Sequence, residues 1–545
     1  IGGDGMTAVS DISIAADNTI TINAPVNSTL AGNISMTADA GNILLADEVR
    51  TTTTGDITLT ATLGYIDDTD IADETEYVAG DVLTMTAATG IGITTSDIDT
   101  QVNSLDASVT GVGSMVIDEF DAIVLTDLDT VTGSITVSAR GQITATDVNA
   151  SGVGQDVSLS TTTGGMILTS VLADDDITVT ADAGNITIGV VGDGGTDSIA
   201  ITATQGYIDE IPPGDVGVDI VGVAVTLTAR DGIGAAYGFE TTITSLDGSV
   251  TSVGDITITD SNAIILTDVD TVDGSITVAA AGLITATDVN ASGFGRDVTL
   301  TTTTGGMILT LVLADDDITA TAAAGDITLD VVGDAGTDDI AITAATGSIN
   351  EVGAGDATVD ITGDAVVLTA QDEIGAGAEL DIETNVATLS ADSTLAGDIV
   401  LTELDTAGNG INMLNIDTNN GNITLITNGG THEAGTETIL TSVKSDTGVA
   451  GANDISITTS TGDITLAGNA VDTTNVQSDD DITITVTLGS ITEKTTAEIP
   501  GDSYVDILGD VLTITARDEI GSTTGEYDIE TTIATLDASS TLAGA

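Results

Sequence analysis

Apolar and hydroxyl-bearing side chains alternate over short stretches of this chain. In Ile57-Thr58-Leu59-Thr60-Ala61-Thr62 the aliphatic residues fall on every second position and threonines fill the gaps. A period of two puts one set on a buried face and the other on a wet face of a strand. Further stretches open at Gly or Asp, as in Gly133-Ser134-Ile135-Thr136-Val137, Asp176-Ile177-Thr178-Val179 and Gly184-Asn185-Ile186-Thr187. Short spacings of about 8–9 residues between openings alternate with longer ones of about 11–15. Two steps make a coil of about 19–24 residues, the size of one turn of a solenoid. No window carries a sustained helical period with capping residues.

A longer repeat contains the coils. The stretch DLDTVTGSITVSARGQITATDVNASG from Asp127 returns from Asp268 as DVDTVDGSITVAAAGLITATDVNASG. Weaker copies flank these two: Gly64-Tyr65-Ile66-Asp67 matches Gly206-Tyr207-Ile208-Asp209, and Gln371-Asp372-Glu373-Ile374 matches Arg517-Asp518-Glu519-Ile520. The boundaries read as a partial module over 1–105, modules over 106–246 and 247–389, and a divergent module over 390–545. The first residue is Ile1, with no basic-then-apolar leader, so the chain reads as a processed product or a piece of a longer one.

The pattern predicts an all-β chain folded as a parallel right-handed β-helix. An antiparallel sandwich also has short alternating strands. It would, however, show Asn-Gly hairpin turns and linkers between domains, whereas the repetition here runs on without a break.

Composition narrows the core and the partners. Aromatic residues are 2% of the chain and Trp is absent, so Ile, Val, Leu and Ala must fill the interior. Mean hydropathy is +0.32 although Asp and Glu number 86 against 7 Lys and Arg, a net charge of −79. A disordered acidic tail combines charge with low hydropathy. Here both are high, which requires a regular segregation of the two. Such a surface repels nucleic acid and anionic membranes and attracts cations. Cys is absent, removing disulfides and thiolate metal sites. No apolar run approaches the roughly 18–20 residues of a membrane span.

The phrases GDITLTATLGYID from Gly55, GNITLITNGG from Gly421 and STGDITLAGNAV from Ser460 resemble the repeats of filamentous-haemagglutinin-like exoproteins and of giant bacterial β-strand-repeat surface proteins. The resemblance spans the whole chain. It implies a parallel β-helix shaft, secretion to the cell surface, and roles in adhesion, biofilm or surface layers. The expected function is therefore an extracellular structural protein, the shaft of a filament, sheath or surface layer that associates with itself. The alternative is the stalk of a large adhesin with a cell-surface or glycan ligand.

Candidate cation ligands are carboxylates. Asp127 and Asp129 flank Leu128, Asp268 and Asp270 flank Val269, and Glu403 and Asp405 flank Leu404. Residues two apart on a strand share a face about 7 Å apart, and hard oxygens there suit Ca2+. The triplets Asp174-Asp175-Asp176, Asp315-Asp316-Asp317 and Asp479-Asp480-Asp481 sit at turns where carbonyls are also free. The plainer reading is that Asp ends strands and solvates turns. The loops Gly192–Ala200 and Gly333–Ala341 partly fit a calcium-binding nonapeptide, but each stands alone. Outward Thr pairs such as Thr58/Thr60 and Thr483/Thr485 could order water, or could simply be outward strand residues. A lone His432 and scattered basic residues offer no catalytic constellation, so no enzyme is expected.

Overall fold

The computed structural model describes residues 2–52, 54–69, 78–92, 97–195, 198–334, 338–353, 358–376, 381–404, 410–428, 437–445, 453–467, 474–493, 505–521 and 528–542. These residues are all-β without helix, and parallel strands stack as a solenoid of about 21 turns. The chain divides into two compact units. One comprises Ile1–Asn262 with Asp268–Gly274, the other Ala263–Thr267 with Ser275–Ala545.

In the first unit the alternation does what its period requires. Strand Ile57–Ala61 buries Ile57, Leu59 and Ala61 and turns Thr58 and Thr60 outward. Each strand pairs in register with its counterpart one coil away, so like side chains form columns. One column runs Met115, Ile135, Val157, Ile177, Ile199, Val225, Leu246. A second runs Ile143, Met166, Ile186, Ile208, Ile233, Ile256. These aliphatic columns are the core. Between them the outward positions stack as well: Ser138, Ser160, Thr180, Thr202, Thr228 and Ser249 lie opposite one another.

The second unit repeats the scheme. Ile276 pairs with Val298 as Ile135 pairs with Val157, and both isoleucines are fully buried. Later coils are longer than the range read from the sequence spacing. Ile423 pairs with Ile455, and Ile482 with Leu512, each step well beyond the expected coil. The strands keep their register, so the added residues fall in the connections, where chain length costs little.

Turn columns allow the close approach of successive coils. A Cβ built on Gly133 would lie 1.8 Å from the carbonyl oxygen of Gly113, and one on Gly274 would lie 1.9 Å from that of Gly254. Only hydrogen fits there.

Candidate functional site: buried carboxylate triads

Two of the acidic pairs read from the sequence are on the outer surface, whereas Glu403 of the third pair is buried. Asp127 and Asp129 are both exposed, with buried Leu128 between them. Asp127 lies opposite Asp106, after a register shift between Leu105 and Asp106. Burial first, then the Asp127 charge, raises the Asp106 carboxyl above its ordinary value. Asp268 is exposed and Asp270 partly so, and Asp268 acts on Asp247 in the same way after burial.

The triplets clip neighbouring turns together. Asp174 Oδ2 accepts the Gly154 N–H at 2.9 Å, and Asp315 Oδ2 accepts the Gly295 N–H at 3.0 Å. The N–H groups of Asp175 and Asp316 donate to the carbonyls of Gln155 and Arg296. Those of Asp176 and Asp317 donate to the carboxylates of Asp156 and Asp297, both at 3.3 Å. In the third triplet Asp479 and Asp481 are exposed, and Asp480 and Asp481 come together with Asp454. Parts of both nonapeptide-like loops, with Asp405 and His432, lie outside the described residues.

A different set of acids is buried or half-buried. Glu210 ends strand Ile208–Glu210, Asp219 precedes strand Ile220–Val221, and Glu240 follows Phe239 in strand Phe239–Thr242. Each offers an oxygen, and the three oxygens lie within 4.8 Å of one another. The same arrangement recurs at Glu351, Asp360 and Glu383 and at Glu493, Asp506 and Glu530. Glu351, Asp360 and Glu383 are 6%, 1% and 4% exposed.

The backbone holds the middle Asp in the same way each time. Asp219 Oδ2 accepts the Glu240 N–H at 2.9 Å, Asp360 Oδ2 the Glu383 N–H at 2.8 Å, and Asp506 Oδ2 the Glu530 N–H at 2.8 Å. In return each Asp N–H donates to the carbonyl of that Glu. One oxygen of each Asp is thereby fixed. Glu210 Oε1 accepts the Asp215 N–H at 2.6 Å. Glu210 Oε2, Glu240 Oε2, Asp360 Oδ1 and Glu383 Oε2 are shielded from solvent and receive no fixed donor, and the Asp360 and Glu383 carboxyls can hydrogen-bond to each other only once one is protonated.

Like charges in a dry site favour the neutral form. Burial, followed by the charges of Glu210, Glu240 and Asp215, pushes Asp219 up to about 7. Burial is also the first cause raising Glu240, Asp360 and Glu383. Clustered carboxyls, several of them with unmet oxygens, can share protons or surround a cation.

A second recurrent acid is fully supplied with donors. Glu119 Oε2 takes the Thr100 hydroxyl at 2.7 Å and the Val102 N–H at 3.2 Å. Asp260 takes the Thr241 hydroxyl at 2.8 Å and the Ile243 N–H at 3.0 Å, and Glu403 takes the Thr384 hydroxyl at 2.6 Å and the Val386 N–H at 3.2 Å. Burial nevertheless pushes Glu119 up to about 8. These clamps tie adjacent coils across the core edge.

Two of the basic residues have local roles. Arg140 stands 4.6 Å from the centroid of the Phe120 ring, and Arg517 donates to both oxygens of Asp518. Comparison of the chain with protein-family models, with curated proteins and with solved structures finds no match.

Proposed function

We propose that this chain is an extracellular structural repeat protein, a shaft segment of a cell-surface filament, sheath or surface layer, steadied by cations and associating with copies of itself. The observation that carries this reading is the in-register stacking of near-identical coils. Ile135 and Ile276 hold equivalent buried places in successive modules, and the outward Ser and Thr positions repeat with them. Repetition of this kind multiplies one surface and one core, as a spacer or lattice element needs, and singles out no reaction centre. Each coil passes load to the next through rows of parallel backbone hydrogen bonds. The net charge of −79 demands neutralisation wherever copies pack side by side.

The second reading is the stalk of a large adhesin. The same stacking supports it, with the ligand-binding part elsewhere. Electron microscopy of the purified chain with and without millimolar calcium separates the two. Ordered fibres or sheets support the shaft. A chain that remains monomeric but binds host cells or immobilised glycans supports the stalk, and neither behaviour removes both readings.

A further inference from the structure

We propose that the triads Glu210–Asp219–Glu240 and Glu351–Asp360–Glu383 are divalent-cation sites selective for calcium. The inference rests on the geometry of the triads and stands whether or not the chain is a shaft. Calcium takes oxygen ligands at about 2.3–2.6 Å, so two oxygens on one ion can be up to about 5 Å apart. The triad oxygens lie within 4.8 Å of one another and can all reach a single ion of that size.

Proximity of acids would not suffice, since exposed acidic clusters are common on a chain this charged. The unmet oxygens decide the matter. Asp360 is 1% exposed and Glu383 4%, and Asp360 Oδ1 and Glu383 Oε2 receive no fixed donor. Glu210, 4% exposed, likewise leaves Oε2 unmet. A buried carboxylate oxygen without a partner is costly, and a cation placed in the cluster supplies what these unmet oxygens lack. The Glu119 position shows the contrast: there Thr100, Val102 and Asp121 supply donors, and an ion has no vacant oxygen to claim.

The backbone also builds the site in advance. In every triad the Glu N–H fixes one oxygen of the Asp, which orients the other. In the first triad Asp209 accepts the N–H groups of Ala236 and Tyr237, which ties that turn to strand Ile208–Glu210. A Cβ on Gly214 would meet Glu210 Oε2 and the Tyr237 ring, each at 2.9 Å, so carboxylate and ring are neighbours. A carboxylate-rich site suits calcium better than magnesium, which requires a tighter octahedron and keeps several waters.

The test uses the full chain, stripped with chelator and titrated by calorimetry with calcium and with magnesium. Wild type is compared with Asp219→Asn and Asp360→Asn, and with the exposed double change Asp127→Asn/Asp129→Asn. Expected are two saturable calcium equivalents in wild type, one for each of these two triads. One equivalent should be lost in each Asn variant at a triad and none in the exposed variant, with magnesium at least about tenfold weaker. Absence of saturable binding in wild type, or an unchanged stoichiometry in the triad variants, overturns the proposal. Equal affinities for the two ions overturn the selectivity. Should a triad variant fail to fold, terbium added to wild type reports directly through the Tyr237 ring. Sensitised emission should appear, fall in Tyr237→Phe, and be displaced by calcium; emission that is absent or indifferent to Tyr237→Phe overturns the first site.

Discussion

Asp219→Asn isolates the charge conflict inside one triad. Asp219 is 2% exposed and its carboxyl is pushed up to about 7 from an ordinary 3.8, by burial first and then by Glu210, Glu240 and Asp215. Folding therefore favours the protonated form by about 4 kcal/mol. The native state binds more protons than the unfolded chain between the two values. The stabilisation is thus complete below pH 3.8 and is lost as pH rises through about 7. Of the total, about 2–3 kcal/mol should disappear between pH 5 and pH 8.5 in chelator. Asn keeps an oxygen for the Glu240 N–H and never ionises. Its stability should fall less steeply over that range, and at pH 8.5 in chelator the variant should be the more stable protein by about 1–3 kcal/mol. Excess calcium should reverse the order, because only wild type retains all three ligands. Urea denaturation followed by circular dichroism, at several pH values with chelator or calcium, gives the comparison. Parallel pH profiles for the two proteins, or a variant that is weaker at pH 8.5 in chelator, would refute the reasoning.

Other changes test the fold and the surface. Ile186→Asp places an unpaired charge between Met166 and Ile208 in a fully buried column and should cost several kcal/mol, whereas Thr187→Ser on the outer face should be close to neutral. Equal melting temperatures would contradict the assigned faces. Gly133→Ala forces a methyl to within 1.8 Å of the Gly113 carbonyl and should cost about 1–3 kcal/mol or more. Gly154→Ala meets nothing within 4 Å but must hold φ near +70°, and should cost only about 1 kcal/mol. Similar thermal shifts for the two alanines would mean that the coils can separate at the turn. Finally, with chelator present, melting should occur at lower temperature in 0.01 M than in 0.1 M monovalent salt, where the Debye length shrinks from about 30 to about 10 Å. Salt-independent melting would remove the argument from self-repulsion.

The architecture was legible because the alternation is nearly undisturbed. Once Ile57, Leu59 and Ala61 share a face, parallel stacking of such strands is the economical way to bury them. The longer late coils were less legible, since added residues in connections leave the strand pattern intact. The triads escaped for a physical reason. Acids two apart on a strand attract notice, yet Asp127 and Asp129 flank a buried leucine and so must both point outward. The clustered acids are single residues on three separate segments, joined only by folding. Their signal is the phase of the alternation. In Ile208-Asp209-Glu210, Ile349-Asn350-Glu351 and Ile491-Thr492-Glu493 the glutamate takes the face of the isoleucine two before it. Val-Asp-Ile recurs at 218–220, 359–361 and 505–507 to supply the second member. Among 86 acidic residues that signal emerges only when the modules are laid over one another.

The in-register columns also bear on how such a gene can change. Homologous recombination between the matching stretches that begin at Asp127 and Asp268 removes or duplicates one whole module. The protein product has no new interface to solve at the junction, because Ile135 and Ile276 already contact equivalent neighbours. Length is therefore a heritable variable that can drift within a population without passing through misfolded intermediates. A duplication of that block also carries one complete triad, so the number of acidic sites grows in step with the number of coils.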